Sequence, residues 1–336
     1  MLNIAIVGCG YWGPNLIRNF NVLSDCKVKL VCDMDVDRLA HMKTLYPDVE
    51  TALKFDHVVN TAEIDAVAIA TPTRLHYEMA KKTLRAGKHA FIEKPMTSSV
   101  TEAEELIELA GEKKLTLMVG HTFVYSSAVR KIKEIVDSGE LGEILYISSR
   151  RLNLGLFQKN INVAWDLAPH DISIILYILN EAPVSVNCQG KAHVHPKVED
   201  VTNMTLNFRN GSLATIQSSW LDPNKVRETT FVGQKGMLVY DDLQTSEKLK
   251  IYDKRIEIPP YYDTFADFHY SYHYGNMYSP YVEEVEPLKT ECRHFLDCIK
   301  SGAKPESSGL EGLKVVQILE AATKSLKNGG SRIEIG

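Results

Sequence analysis

The chain has 336 residues, a formal net charge of −5, and ordinary proportions of hydrophobic (44%) and charged (24%) residues. That length supports two domains with a substantial core, and the acidic balance argues against generic nucleic-acid binding. No apolar run reaches membrane-spanning length, and the first residues enter an apolar strand without a signal-peptide pattern, so a cytoplasmic protein independent of membranes is expected. The six cysteines (Cys9, Cys26, Cys32, Cys188, Cys292, Cys298) form no Cys-x-x-Cys pair and no zinc spacing, which fits reduced thiols.

Residues 4–7 form a short apolar run that reads as a buried parallel strand. It leads into Gly8-x-Gly10-x-x-Gly13 and a helix opening at Pro14. The first glycine permits a tight turn, the second lets backbone approach a pyrophosphate, and the third lets helix and strand pack closely. Unpaired N–H groups at the helix start favour phosphate charge, and proline suits the first helical turn. A second strand, 28–32, ends at Asp33, where this pattern sets an acid for the adenosine ribose hydroxyls. An acid there repels a 2′-phosphate, so NAD is expected over NADP; Arg38 is the one nearby residue that speaks against it. The alternative is a βαβ turn with no cofactor.

Residues 36–45 read as a helix. Residues 64–70 are a continuous apolar strand ending at Thr71-Pro72-Thr73, followed by a helix over 75–86 that closes at Gly87. The next strand, 89–92, ends in Glu93-Lys94-Pro95. Thr101-x-x-Glu104 matches a capping box for a helix through 110, and strand 115–119 ends at Gly120-His121. Strands alternating with helices predict a parallel, doubly wound sheet. Its ligands would gather at the carboxyl ends of the strands, where all these termini lie.

The pattern changes after about residue 122. A helix is expected over 127–137, then a strand over 144–149 leading to Arg150-Arg151, then a helix over 166–180 with Pro169 in its first turns. The alternating runs 201–208 and 212–220 flank Asn210-Gly211, a type I′ hairpin signal. Strands around 229–232 and 237–240 follow, with Gly236 between them. A final helix over 313–326 aligns Val315, Ile318, Leu319, Ala322 and Leu326 and ends at Gly329-Gly330. The fold class is therefore α/β: a Rossmann domain over 1–121, then an α+β domain over 122–336 with an open, mainly antiparallel sheet. The last helix is able to pack back on the first domain.

Lys94 ends a strand beside the expected nicotinamide. Partly desolvated there, its amine could accept or donate a proton; alone, it would read as a surface lysine in a turn. In Trp165-Asp166-Leu167-Ala168-Pro169-His170-Asp171, Asp166 and His170 are four apart and share a helix face if the helix has begun. A histidine can move a hydroxyl proton while hydride leaves carbon; equally, Asp166 could be a cap and His170 a core residue. The stretch 261–281 is rich in tyrosine and contains His269 and His273. Alternation of Tyr270, Tyr272 and Tyr274 favours an extended segment at an interface over a metal pair, and no metal is expected. The acids of 102–112 read as an exposed helix face.

These motifs, taken in order, resemble the Gfo/Idh/MocA oxidoreductase family across essentially the whole chain. The carriers are Gly8-Cys9-Gly10-Tyr11-Trp12-Gly13, Thr71-Pro72, Glu93-Lys94-Pro95 and the Asp166/His170 helix. The resemblance implies that Lys94 is catalytic and that Asp166 and His170 contact the sugar, the histidine being the family's frequent acid/base. It also implies cofactor contacts from Gly8, Gly10, Tyr11, Trp12, Gly13, Asp33, Thr71, Pro72, Thr73, His76, Glu93, Lys94, His121 and Trp165. Gly10-Tyr11-Trp12-Gly13-Pro14-Asn15-Leu16, the Trp165–Asp171 segment and Glu286 through Phe295 are similar to the nucleotide-sugar branch. Its members oxidise the C3 hydroxyl of UDP-N-acetylglucosamine or of its C6 uronic acid, ahead of an aminotransferase that feeds lipid A, lipopolysaccharide or other surface glycans. Other relatives run as keto-sugar reductases, and a non-catalytic NAD(H) sensor is the alternative of another class. A UDP-sugar needs cations for its phosphates; Arg150, Arg151 and Lys159, with Asn153, are the candidates, against solvated charges at a strand end. Substrate contacts are thus expected from Lys94, Arg150, Arg151, Asn153, Asp166 and His170, and a homodimer or homotetramer from the family and the open sheet.

Overall fold

A computed structural model describes residues 1–155, 157–158, 160–257 and 271–335. In chain order, the first stretch holds β1 (Leu2–Val7), α1 (Gly13–Asn21), β2 (Cys26–Cys32), α2 (Val36–Leu45), β3 (Glu50–Ala52), α3 (Phe55–Asn60) and β4 (Ala66–Ile69). It continues with α4 (His76–Arg85), β5 (His89–Glu93), α5 (Val100–Lys113) and β6 (Leu117–Gly120). Then come α6 (Ser127–Asp137), β7 (Ile144–Leu154), α7 (Val163–Leu179), β8 (Ser185–Lys191), β9 (Val201–Asn207), β10 (Leu213–Ser219) and β11 (Leu221–Gly233). The chain closes with β12 (Met237–Asp241), β13 (Leu249–Glu257), β14 (Ser271–Tyr278), α8 (Pro287–Ser301), α9 (Gly309–Lys327) and β15 (Ile333–Glu334).

By packing, the chain divides into two units: Met1–Tyr125 with Val285–Glu320, and Ser126–Glu284 with Ala321–Gly336. The sequence pattern places residues 122–336 in the second domain, with the last helix able to pack back on the first. Residues 285–320 join the first unit because α8 carries Phe295, whose ring meets Phe20 at 6.4 Å and Phe91 at 5.6 Å. Arg18 and Glu286 form a bidentate ion pair (2.5 and 3.0 Å), and the Val119 N–H donates to Ser307 O. Gly309 and Gly312 of α9 lie so close to Leu117 and Val119 that an added Cβ would come within 2.9 and 2.7 Å of those side chains.

The first unit's sheet is parallel, ordered β3-β2-β1-β4-β5-β6. β1 and β4 are buried on both faces, as their unbroken apolar runs require. The second unit's sheet is ordered β14-β13-β12-β11-β7-β10-β9-β8-β15 among the described residues. Its pairings are antiparallel except β10 with β7, so the mainly antiparallel sheet and the α/β class stand. Helix α7 packs on β7, β9 and β10. Among the described residues no helix is long and apolar enough to cross a membrane. All six cysteines are buried free thiols, and burial pushes Cys9 up to about 12.

Several local expectations are corrected. The capping box sits two residues earlier: Ser99 accepts from the Glu102 N–H (3.3 Å) and Glu102 from that of Ser98 (3.0 Å). Ser99 has the extended backbone a cap needs, and the helix has begun before Thr101. The 208–212 hairpin is not type I′, because only Gly211 has a positive φ (+89°) there. Gly211 N–H donates to Phe208 O and Phe208 N–H to Ser212 O, a three-residue loop ending in a glycine bulge. Strand β7 continues through Leu154, so Arg150, Arg151 and Asn153 lie within it. β3, α3, β8, β13, β15 and α8 carry no prediction. Of the tyrosine-rich stretch, Tyr270 and His269 lie outside the described residues. Tyr272 and Tyr274 project from β14, and His273 pairs with Asp253 at 3.0 Å.

Candidate active site

The glycine loop is built around contacts that leave no space for a side chain. At Gly13 an added Cβ would lie 1.9 Å from Gly8 O; at Gly8, with φ +96°, it would lie 2.6 Å from Ala70 O. Over Gly10 the space is open except for the Arg38 guanidinium, 3.8 Å away. Helix α1 begins here with no side-chain cap and no acid in its first turn. Bare N–H groups at an open glycine fit a pyrophosphate. Tyr11 is 83% exposed on this loop and meets Trp12 edge-on at 5.8 Å.

Asp33 locks the loop to the end of β2. Its Oδ2 accepts from the Cys9 N–H at 2.5 Å and its Oδ1 from the Asp35 N–H at 2.9 Å. Arg38 stands nearby, Nη1 3.9 Å from Asp33 Oδ2 and Nε 3.3 Å from Asp35 Oδ2.

Strand β5 delivers Glu93 and Lys94, and the Lys94–Pro95 peptide is cis. Lys94 is half-buried. Glu93 is buried, with the Gly120 backbone against its carboxyl, and burial pushes its pKa up to about 7 while Lys94 pulls it back. Glu291 of α8 is wholly buried and accepts from the Thr122 hydroxyl at 2.7 Å. Burial first, and the Glu93 charge second, hold its pKa well above the carboxylate range. His121, beside Thr122 in the chain, is buried with neither ring nitrogen partnered among the described residues. Burial and then Lys94 push its pKa down to about 3, so it is a neutral ring. Glu291 was missed by sequence reading. Its signal was periodicity: Leu288, Glu291, Cys292 and Phe295 share the buried face of α8.

His76, expected to touch cofactor, is buried beneath the neighbouring loops, its two ring nitrogens 2.9 Å from Pro95 O and 2.7 Å from Thr71 O. Both nitrogens face backbone carbonyl oxygens.

In the second unit, Asn162 caps α7 by accepting from the Trp165 N–H at 3.2 Å. Asp166 is therefore not the cap. It stands inside the helix, one turn before His170, and accepts from Trp220 Nε1 at 3.1 Å. Both residues are half-buried. Trp165 donates its ring N–H to Thr323 Oγ1 at 2.9 Å.

Arg151, a candidate phosphate contact, is engaged within the fold. It is buried, and its Nε and Nη2 meet the Asp171 carboxylate at 2.7 and 3.0 Å. Arg150 is exposed and pairs across the sheet with Glu228 at 2.6 Å, a surface pair contributing about 0–1 kcal/mol. Asn153 keeps a buried Oδ1 with no partner among the described residues. Lys159 lies outside them. Among the described residues no cluster of three or more His, Cys, Asp or Glu could hold a metal.

A glycine-cradled Rossmann unit followed by a mainly antiparallel sheet defines an oxidoreductase class, and comparison with known proteins agrees. Residues 2–121 match the family described as "Oxidoreductase family, NAD-binding Rossmann fold", and residues 129–239 match the GFO/IDH/MocA C-terminal domain. The chain belongs to the Gfo/Idh/MocA oxidoreductase family and is an NAD-binding enzyme. It is 30% identical over 227 residues to UDP-N-acetylglucosamine 3-dehydrogenase of Acidithiobacillus ferrooxidans, covering 65% of this chain and 67% of that one. It is 26% identical over 345 residues to myo-inositol 2-dehydrogenase of Thermotoga maritima, covering 97% and 96%. A solved structure of the Acidithiobacillus enzyme shares the fold, with a TM-score of 0.80 at 23% identity over 98% of each chain.

The placement of Asp33 and Arg38 makes cofactor choice testable. Asp33→Ser removes the charge opposing a 2′-phosphate and leaves Arg38 to meet one. Hydrogen bonds to charged groups contribute about 1.5–3 kcal/mol, so NADP affinity should rise roughly 10- to 100-fold while NAD affinity falls. Calorimetric titration with both dinucleotides reads the change; an unmoved NADP affinity excludes Arg38 as a phosphate partner.

Proposed function

We propose that this enzyme oxidises the C3 hydroxyl of a UDP-N-acetylhexosamine, UDP-N-acetylglucosamine foremost, to the 3-keto sugar. The substrate class is carried by one observation: the 30% identity to UDP-N-acetylglucosamine 3-dehydrogenase. Bound NAD supplies the hydride acceptor. The glycine loop and Asp33 hold its pyrophosphate and adenosine ribose. Lys94, half-buried at the end of β5, and His170 are the candidates for the base that takes the hydroxyl proton. Asp166, one turn from His170, orients the sugar, and Asn153 and Arg150 offer it polar contacts. The 3-keto product is a substrate for transamination, so an aminotransferase follows in the synthesis of lipid A or another surface glycan. The enzyme works in the cytoplasm as a homodimer or homotetramer, using the open sheet face that exposes Tyr146 and Leu213.

The test is NAD reduction with UDP-N-acetylglucosamine, its uronic acid, UDP-glucose and free inositol, each with a carbonyl trap to pull an unfavourable equilibrium. NADH and a trapped 3-keto sugar from UDP-N-acetylglucosamine are expected. Turnover of inositol alone would replace the substrate class, and silence across the trapped panel would remove the dehydrogenase reading.

A further inference from the structure

His76 opens α4 and is 1% exposed. Its Nδ1 lies 2.9 Å from the carbonyl oxygen of Pro95 and its Nε2 2.7 Å from that of Thr71. Both partners can only accept. A neutral imidazole has one N–H and one lone pair, so in this position its lone pair would face a carbonyl oxygen at hydrogen-bonding distance. Flipping the ring sets carbon atoms against both oxygens and forfeits both bonds. Only a ring protonated on both nitrogens makes both contacts.

We propose that His76 is a positioning residue held as an imidazolium, tying the loop after β4 to the turn after β5 and fixing a positive charge beside Lys94. Burial acts against the cation, is the largest influence on the ring, and lowers its pKa below the ordinary histidine value; the two carbonyl contacts are what argue for the charge. The carbonyls of Pro95 and Thr71, with the Met96 backbone, act for it, and Lys94 is the charged side chain that acts against it. Two charge-assisted bonds oppose that burial, being roughly twice as strong as neutral ones. The effect on Lys94 is reciprocal. A fixed cation beside an ammonium disfavours that ammonium, which frees the amine to receive a proton. This catalytic consequence rests on Lys94 being the proton-transfer group; the protonation of His76 does not.

The full-length protein, labelled with 15N-histidine and saturated with NAD, is followed by two-bond 1H–15N correlation at about pH 7. His76 is assigned by the signal lost in His76→Gln. Should that variant fail to fold, the signal that moves in Lys94→Met serves instead. Both His76 nitrogens are expected in the protonated range, with a midpoint that rises in Lys94→Met. One unprotonated nitrogen at this pH overturns the proposal. Competitive acylation of Lys94 across pH, read by mass spectrometry, tests the second half without any sugar. In folded His76→Gln its midpoint should rise by about one pH unit. An unmoved midpoint refutes the charge-setting role even if turnover falls. If no sugar is oxidised while His76 is doubly protonated, the substrate reading fails and this one stands.

Discussion

Replacing Lys94 with methionine is expected to lower turnover on the order of 10²- to 10⁴-fold, the range that a positioned proton-transfer group supplies. Methionine keeps the length and apolar stem of the side chain, so the turn at Pro95 should hold and NAD affinity should change far less than the rate. The reasoning starts from position. Strand β5 places Lys94 where ligands of a parallel sheet bind, half-buried and beside the buried Glu93. A lysine that only neutralised phosphate would show its loss in KM rather than kcat. Steady-state rates with dinucleotide titrations separate these outcomes. Unchanged turnover in Lys94→Met would leave His170 as the base, and absence of turnover in the unaltered protein with every sugar would revive the reading of a non-catalytic NAD(H) sensor.

Asp171→Ala is expected to cost about 3–5 kcal/mol of stability, as for other buried pairs broken on one side. Asp171 is 2% exposed. It takes both arms of Arg151 and also accepts from the Ser149 hydroxyl at 2.9 Å. Alanine leaves the buried guanidinium without its strongest counter-charge. Asp171→Leu with Arg151→Met, which removes both charges and fills the volume, should recover most of the loss. Urea unfolding of the three proteins reads this directly. Unchanged stability with a raised KM for sugar nucleotide would return Arg151 to the phosphate role that its sequence position suggested.

Arg151 shows where the sequence stops. β1, the glycine loop, α1 and the acid ending β2 are adjacent in the chain, so their geometry follows from local rules and was legible. Arg151 was not, because the carboxylate that takes it lies 20 residues away on α7, inside the segment read for its Asp166 and His170. His76 reads as a cofactor residue by family position, while the carbonyls that occupy it come from Thr71 and Pro95. The capping box was ambiguous because 99–102 and 101–104 both fit the pattern, and only backbone conformation chooses between them. Glu291 joins the Glu93 neighbourhood from nearly 200 residues downstream, through a helix that local sequence could not assign to the first unit.

The most direct test of the account uses UDP-N-acetylglucosamine carrying deuterium at C3, with NAD and a carbonyl trap. If the enzyme is a 3-dehydrogenase, the deuterium appears on the nicotinamide ring, and the trapped sugar carries its carbonyl at C3 without label. Reduced nicotinamide without deuterium, alongside sugar that keeps its C3 label, would place the oxidation at another carbon and contradict the account.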